Sequence, residues 1–399
     1  MRRTDDPIAW RINEMSKRVK KLQENEWYYY LIASDALHGS KVVVNGREML
    51  MFASYSYLNL IHHPRINAAA KDAIDAFSSG THGVRLLAGT TRLHRQLEER
   101  IAQFKNADAA VTYSSGFVTN LAAIAALTGR HDVVLSDRLN HASIVDGCRQ
   151  SLAKFVRFRH NDMDDLERRL STIDPKAGKL VVTDAVFSMD GDIINLPAMH
   201  ALCEKYGAWL MVDEAHSLGV LGETGHGIEE HFDMEGCIDI KMGTLSKTIP
   251  SVGGYIAGDA ELINFLKHAS RPFIFSAALP PAAVAAAKAA FDVIDDEPER
   301  VKIAQRNMRY FIAQLQANGF DTLNTETCIV PIICGDEKSA WEMARLSQAE
   351  DIFVLPVVSP AVPEGLSRLR ANVTAAHSLQ EIDYTIDVFT RAAKKVGIL

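Results

Sequence analysis

One lysine in this chain stands among side chains too small to shield it. Lys247 lies in "GTLSKTIPSVGG", Gly243 to Gly254, where Thr244 and Ser246 offer hydroxyls and Gly253-Gly254 permits close backbone approach. Such an amine can form an imine with a carbonyl, although a lysine at a strand end serves equally as a surface anchor. A carboxylate, Asp213, ends the apolar run of "LMVDEAHS" and is followed by Glu214 and His216. Left at the rim of an apolar wall, it needs a cationic or donor partner, because an unpaired buried carboxylate is costly. In "TYSSGFVTN" a third run ends in Ser114, Ser115, Gly116 and Phe117. Free N–H groups opening a helix there suit a phosphate, although a Ser-Gly pair serves equally as a plain cap.

An anion cup, a strand-end aspartate and a lysine in a Ser/Thr/Gly setting together outline a pyridoxal phosphate site, with a Schiff-base lysine and a carboxylate facing the pyridinium nitrogen. Residues so distant in sequence meet only on a scaffold that collects strand ends. From about Ala109 to Gly258, apolar runs alternate with amphipathic stretches: "AAVTYSS", "HDVVLSD", "KFVRFRH", "KLVVTDAVF", "AWLMVDEA", "DIKMGT" and "GGYIAG". This alternation predicts an α/β core, a mainly parallel sheet covered by helices on both faces. Ligands of such sheets collect at the carboxyl ends of the strands. "DMDDLERRLSTI" puts Met163, Leu166, Leu170 and Ile173 at helical spacing, and "LPAMHALCEKYG" ends on a glycine stop. After Pro281 an alanine-rich helix leads to "IVPIICGD", a helix over Glu337 to Ala349, "IFVLPVV", "SRLRANVT" and a last helix over Leu379 to Lys395, which reads as a smaller α+β lobe. The expected division is an N-terminal arm and small-lobe segment over 1–58, a large cofactor-binding domain over 59–285 and a C-terminal α+β domain over 286–399.

The chain has 399 residues, 47% of them apolar, enough for more than one core. Its 43 basic and 50 acidic residues are mixed along the sequence, a formal net charge of −7 that gives no field to attract nucleic acid. A small-molecule partner is expected. No apolar run has the length of a membrane span, and "MRRTDDPIAWRINEMSKRVKKLQ" is not a secretion signal. "ENEWYYYLIASD" carries Trp27 and three tyrosines that an arm would pack on the body or on a partner subunit, with peripheral membrane contact as the alternative. Five scattered cysteines form no CxxC pair and the histidines no HExxH, so neither a disulfide framework nor a metal is expected. The expected location is a reducing cytoplasm.

Nearly the whole sequence resembles the α-oxoamine synthase family of pyridoxal phosphate enzymes. The matching segments are "SYSYLNL", "GTHGVRLLAGTTRLHRQLEERIAQF", "YSSGFVTNLAAI", "LNHASIVDGC", "VFSMDGDIINL", "VDEAHSLGVLGETGHG", "GTLSKTIPSVGGYIAG", "RPFIFSAALPP" and "LRANVTAAHS". Within the family, "RFRHNDMDDLERRL", "AGKLVV" and "RPFIFSAALPP" look most like serine palmitoyltransferases. The resemblance implies fold type I, the aspartate aminotransferase-like architecture. It also implies that Lys247 holds pyridoxal 5'-phosphate, that Asp213 pairs with the ring nitrogen, and that His141 stacks on the ring. His216 and Ser188 would contact the ring hydroxyl, and Ser115, Gly116, Phe117 and Thr244 would surround the phosphate. Ser276 would reach the phosphate of the neighbouring subunit, making a homodimer necessary for a complete site. Arg370 would clamp the substrate carboxylate as a fork.

The activity so implied is a decarboxylative condensation of an amino acid with an acyl-CoA thioester. Lys247 is the nearest base at Cα, coenzyme A and carbon dioxide leave, and the product is an α-amino ketone. Serine with a long-chain acyl-CoA is the first expectation. The alternatives are glycine, alanine or another amino acid in secondary metabolism or signalling, an 8-amino-7-oxononanoate synthase, and an inactive structural partner subunit, which typically lacks the lysine present here. Tyr55 and Ser56 stand where many relatives have Asn-Asn or Asn-Asp, Asn59 replaces a glycine, Pro250 replaces a glycine after the lysine, and His226 sits at a usual arginine. Substrate contacts at Tyr55 and Ser56 are expected to differ accordingly.

Overall fold

A computed structural model of the chain describes residues 6–399. Residues 1–5 of the expected arm lie outside the described residues. The chain opens with α1 (Pro7–Glu24), then β1 (Ala36–His38), β2 (Lys41–Val44), β3 (Arg47–Met51), α2 (Pro64–Phe77) and α3 (Arg92–Phe104). An alternating stretch follows: β4 (Ala109–Tyr113), α4 (Gly116–Leu127), β5 (Val133–Asp137), α5 (Ala142–Gln150), β6 (Lys154–Phe158), α6 (Met163–Leu170), β7 (Lys179–Asp184), α7 (Leu196–Tyr206), β8 (Trp209–Asp213), α8 (Ile228–His231), β9 (Ile240–Thr244) and β10 (Gly254–Gly258). Helices α9 (Ala260–Ala269), α10 (Arg271–Phe275), α11 (Pro281–Asp296) and α12 (Glu299–Ala317) lead to β11 (Ile329–Gly335), α13 (Glu337–Ala349), β12 (Ile352–Phe353), β13 (Leu355–Val357), β14 (Ser367–Asn372) and α14 (Leu379–Val396).

All seven runs read as strands between Ala109 and Gly258 lie in one sheet, ordered β4-β10-β9-β8-β7-β5-β6. Only β10 runs against its neighbours. The runs are continuously apolar because successive side chains enter different cores: Val181 packs in one hydrophobic cluster and Leu180 and Val182 in the other, as do Leu210 and Val212 against Met211. Where β10 pairs with β9, Tyr255 lies opposite Gly243. A Cβ at 243 would stand 2.3 Å from the Tyr255 ring carbon Cζ, so the tyrosine occupies the space of the missing side chain.

The N-terminal arm joins the C-terminal part of the chain, since β12 pairs in parallel with β3 in the sheet β1-β2-β3-β12. Trp27 donates from Nε1 to Glu342 at 2.8 Å, and Tyr29 stacks on Trp341 with centroids 6.2 Å apart. The aromatic segment therefore packs on α13 of its own chain. A third sheet, β11-β14-β13, is antiparallel with β14 in its middle. Two differences from the sequence reading stand out. Helix α6 stops at Leu170, so Ile173 packs on the core from beyond its end. The 19-residue α12 went unread, its apolar contacts being thinly spread among charged and amide residues. Among the described residues no helix is long and apolar enough to cross a membrane.

Buried ion pairs brace the ends of the sheet. Arg85 forks Glu98 at 2.8 and 3.0 Å, Lys241 meets Glu229 at 2.8 Å, and Lys105 meets Glu214 at 2.6 Å. Glu214, beside Asp213, has no exposure and also accepts from the Ile228 N–H at 3.0 Å, which ties down the loop after β8. Removing one partner of such a pair leaves an uncompensated charge and costs about 3–5 kcal/mol. Lys105→Met is therefore expected to lower unfolding free energy by about that amount in urea denaturation.

Candidate active site

Five strand ends point into one cavity of ≈ 250 Å³. Strand β4 leads to Ser115, β5 to His141, β7 to Asp184 and Ser188, β8 to Asp213 and His216, and β9 to Thr244 and Lys247. His141 is held at the start of α5 by its surroundings: its backbone N–H donates to Asp184 Oδ2 at 2.7 Å. The preceding Asn140 donates to the Val182 carbonyl and accepts from the Asp184 N–H. Asp213 ends β8 with Oδ1 accepting from the Ala215 N–H at 2.9 Å.

Lys247 Nζ lies 2.7 Å from His216 Nε2, whose Nδ1 lies 2.7 Å from the buried Tyr57 hydroxyl. Burial pulls the Lys247 ammonium down to about 8; Arg370 adds to the fall, while Asp213 and Asp184 oppose it. Burial likewise holds His216 well below the usual imidazole range, reinforced by Lys247, Arg370 and His141. His141 is lowered by burial, with Asp213 opposing. Asp184 is raised well above the usual carboxylate range by burial and then by Asp213 beside it. The cavity thus favours neutral imidazoles and an amine that loses its proton near physiological pH, the state a nucleophilic lysine requires.

At the other end, Ser115 caps α4 by accepting from the Val118 N–H, leaving earlier amides of the helix open toward the cavity. A Cβ at Gly116 would fall 2.8 Å from Thr244 Oγ1, so only glycine lets these two walls of the cup approach. Thr244 Oγ1 lies 3.0 Å from Ser246 Oγ, which adds a second hydroxyl. Phe117 meets the His141 ring edge-on at 6.2 Å. A helix N-terminus, a carboxylate and a desolvated lysine around a space of this size fit pyridoxal phosphate.

Arg370 sits on the central strand β14, 8% exposed, which excludes a surface residue on an edge strand. Its Nε donates to the Ser188 carbonyl at 2.5 Å and Nη1 to the Tyr55 hydroxyl at 3.0 Å, while Nη2 is buried without a partner. The Tyr55 ring spans the gap, 4.9 Å from the Arg370 guanidinium and 5.8 Å from Lys247 Nζ.

The structure gathers Lys247, Asp213, His141, His216, Ser188, Thr244, Ser115, Gly116 and Phe117 around the cavity, with Arg370 and Tyr55 adjoining. Ser56 lies on the neighbouring groove instead, and Ser276, at the end of α10, lines neither space. His226 is remote from the substrate side: it stacks on Phe104 and pairs with Asp295. Pro250 lines the groove. Asp184, Asn120, Ser143 and Tyr57 belong to the site and were not singled out. Asp184 carries the same signal as Asp213, an acid closing an apolar run, whereas Tyr57 is revealed only by the fold.

An amine that titrates near 8 holds roughly two to three orders of magnitude more neutral form at pH 7 than one at 10.5. Reductive alkylation by an aldehyde and borohydride, mapped by peptide, is therefore expected to label Lys247 first below pH 8, with a rate that climbs through about pH 8 and then levels.

Residues 47–389 match the aminotransferase class I and II family. An 8-amino-7-oxononanoate synthase of Thermoanaerobacter pseudethanolicus is 42% identical over 96% of this chain and 98% of its own length, and others of that name recur at 40 to 44%. A serine palmitoyltransferase of Sphingobacterium spiritivorum is 42% identical over 95% of each chain. The solved serine palmitoyltransferase of S. paucimobilis with PLP and myriocin bound superposes with a TM-score of 0.95 at 33% identity, covering 99% of this chain and 100% of that one. With this fold and these relatives, the chain belongs to the aminotransferase class I and II family and, within it, to the α-oxoamine synthases, the pyridoxal phosphate-dependent acyltransferases of fold type I.

Proposed function

We propose that this chain condenses a small amino acid, alanine first, with an acyl thioester, releasing the thiol and carbon dioxide and forming an α-amino ketone. The observation that carries the reading is the meeting of Lys247, Asp213, His141 and His216 in one cavity beside the unfilled Arg370 donor. Pyridoxal phosphate supplies an electron sink for the pair released at the amino acid's Cα. Asp213 keeps the ring nitrogen protonated, His141 covers one ring face, and His216 and Ser188 meet the ring hydroxyl. Ser115, Gly116, Phe117 and Thr244 take the phosphate. Arg370 Nη2 holds the substrate carboxylate, with Tyr55 at its side. Lys247, its proton lost near pH 8, is the base at Cα. Ser276 of the partner subunit completes the phosphate site in a homodimer; its place outside its own chain's cavity is consistent with that role.

The preference for alanine over the serine expected from sequence motifs follows from the relatives. The name 8-amino-7-oxononanoate describes a product with a methyl beside the amine, the remnant of alanine. Serine with a long acyl chain is the second reading, and one observation favours it. From Lys247 and Tyr55 runs a groove of ≈ 590 Å³ walled by Leu37, Met51, Leu60, Ile61 and Ile66, whose lining has no arginine and no lysine other than Lys247 to meet a distal acyl carboxylate. A matrix of glycine, alanine and serine against straight-chain acyl-CoAs and a seven-carbon dicarboxylic acyl-CoA, read as thiol release, separates the readings. Turnover of alanine with the best donor at least about tenfold above serine supports the first and the reverse order the second; absence of thiol release with every pair would overturn both. Arg370→Ala is expected to raise the amino-acid KM by roughly ten- to a hundredfold, the loss of one charge-assisted hydrogen bond, in steady-state assays.

A further inference from the structure

The carboxylate assigned to the ring nitrogen and the histidine assigned to the ring face are tied together by an amide that belongs to neither. Asn120 lies one helical turn beyond Gly116 on α4 and is 1% exposed. Its Nδ2 donates to Asp213 Oδ2 at 2.8 Å and to Ser143 Oγ at 2.9 Å, which commits both amide protons. Ser143 Oγ lies 2.7 Å from His141 Nδ1. Its own proton remains free to donate to that nitrogen. Nδ1 also faces the Ser143 N–H at 3.2 Å, so the neutral ring carries its hydrogen on Nε2. The orientation of the amide is settled by charge: turned over, its oxygen would face the Asp213 carboxylate. Oδ1 is left buried with no partner, so the two donor bonds of Nδ2 are the hydrogen bonds this side chain makes.

We propose that Asn120 is a positioning residue that locks Asp213 and His141 to one another through Ser143, so that the cofactor ring meets its nitrogen partner and its stacking face already set. The proposal rests on the assignment of Asp213 and His141 above and extends it to a residue that touches neither substrate nor reacting atoms. The same helix that offers its N-terminus to the phosphate aligns the groups around the ring one turn later.

A packing role and a hydrogen-bonding role rank two substitutions in opposite order. Asn120→Asp preserves shape but sets a second carboxylate against Asp213, with Asp184, His141, His216 and Lys247 as the other titratable groups lining the cavity. Asn120→Ala removes the donor without adding charge. Apoprotein of each variant is titrated with pyridoxal phosphate, following the visible absorption band and its circular dichroism, which reports ring orientation. The expected loss of affinity is about tenfold for Asn120→Ala and larger for Asn120→Asp, with the deficit of the latter shrinking as pH falls and the introduced carboxyl regains a proton to donate. Ser143→Ala, which breaks only the link to His141, is expected to weaken the dichroism per bound cofactor while leaving thermal stability near wild type. Near-native binding by Asn120→Asp with Asn120→Ala the worse, or unchanged dichroism in Ser143→Ala, would overturn the proposal. Asp213→Ala is the control: if it too binds and absorbs as wild type, the assignment of the ring partner fails, not the link through Asn120 alone.

Discussion

A charge removed from water must be matched or discharged, and the architecture around Lys247 follows from that demand. Burial drives the lysine toward its neutral form and the two nearby imidazoles with it; Asp213 and Asp184 oppose the fall at Lys247, and Asp213 opposes it at His141. None of these groups would be useful alone. A buried aspartate is pushed toward its protonated form, as Asp184 is by desolvation and then by its neighbour Asp213. Helix α4 opens its N-terminal end on the same cavity.

The sheet supplies that proximity economically. Parallel strands deliver their carboxyl ends to one edge, so residues from β4, β5, β7, β8 and β9 converge without long loops. Behind that edge Glu214, paired with Lys105 and accepting from the Ile228 N–H, ties down the loop after β8 from which His216 projects. Arg370 arrives from a different sheet and is aimed by a backbone carbonyl, Ser188, and a phenol, Tyr55. Arg370 and Tyr55 thus adjoin the cavity from outside the large sheet, with the Tyr55 ring beside Arg370, His216 and Lys247.

Much of this was legible in the sequence. The seven core strands announced themselves because a sheet covered on both faces leaves uninterrupted apolar runs, and the acid or lysine ending each run is what such a strand carries to the ligand edge. Lys247, Asp213 and the Ser115–Phe117 cup were visible for that reason. Contacts made across the fold were not. Tyr57 sits in an apolar stretch and reads as core until His216 appears beside it, and Asn120, next to Thr119, is one of two polar residues in a helix otherwise apolar. The expectation of serine rests on motif likeness, and relatives at the same identity include both a serine palmitoyltransferase and an 8-amino-7-oxononanoate synthase. Helix α12 escaped because its buried positions, Val301, Ala304, Phe311 and Leu315, are diluted by charged and amide neighbours.

The contact between Gly243 and Tyr255 carries a consequence for how such chains diversify. The phenol fills the gap directly beneath the strand that delivers Thr244 and Lys247, and its own hydroxyl is buried without a partner. A methyl at 243 collides with the ring, while a smaller residue at 255 alone leaves a hollow under the catalytic strand. The two positions can drift only in concert, so this strand pair resists stepwise change more strongly than the substrate groove does, and lineages exploring new acyl donors would be expected to keep it while their pockets vary.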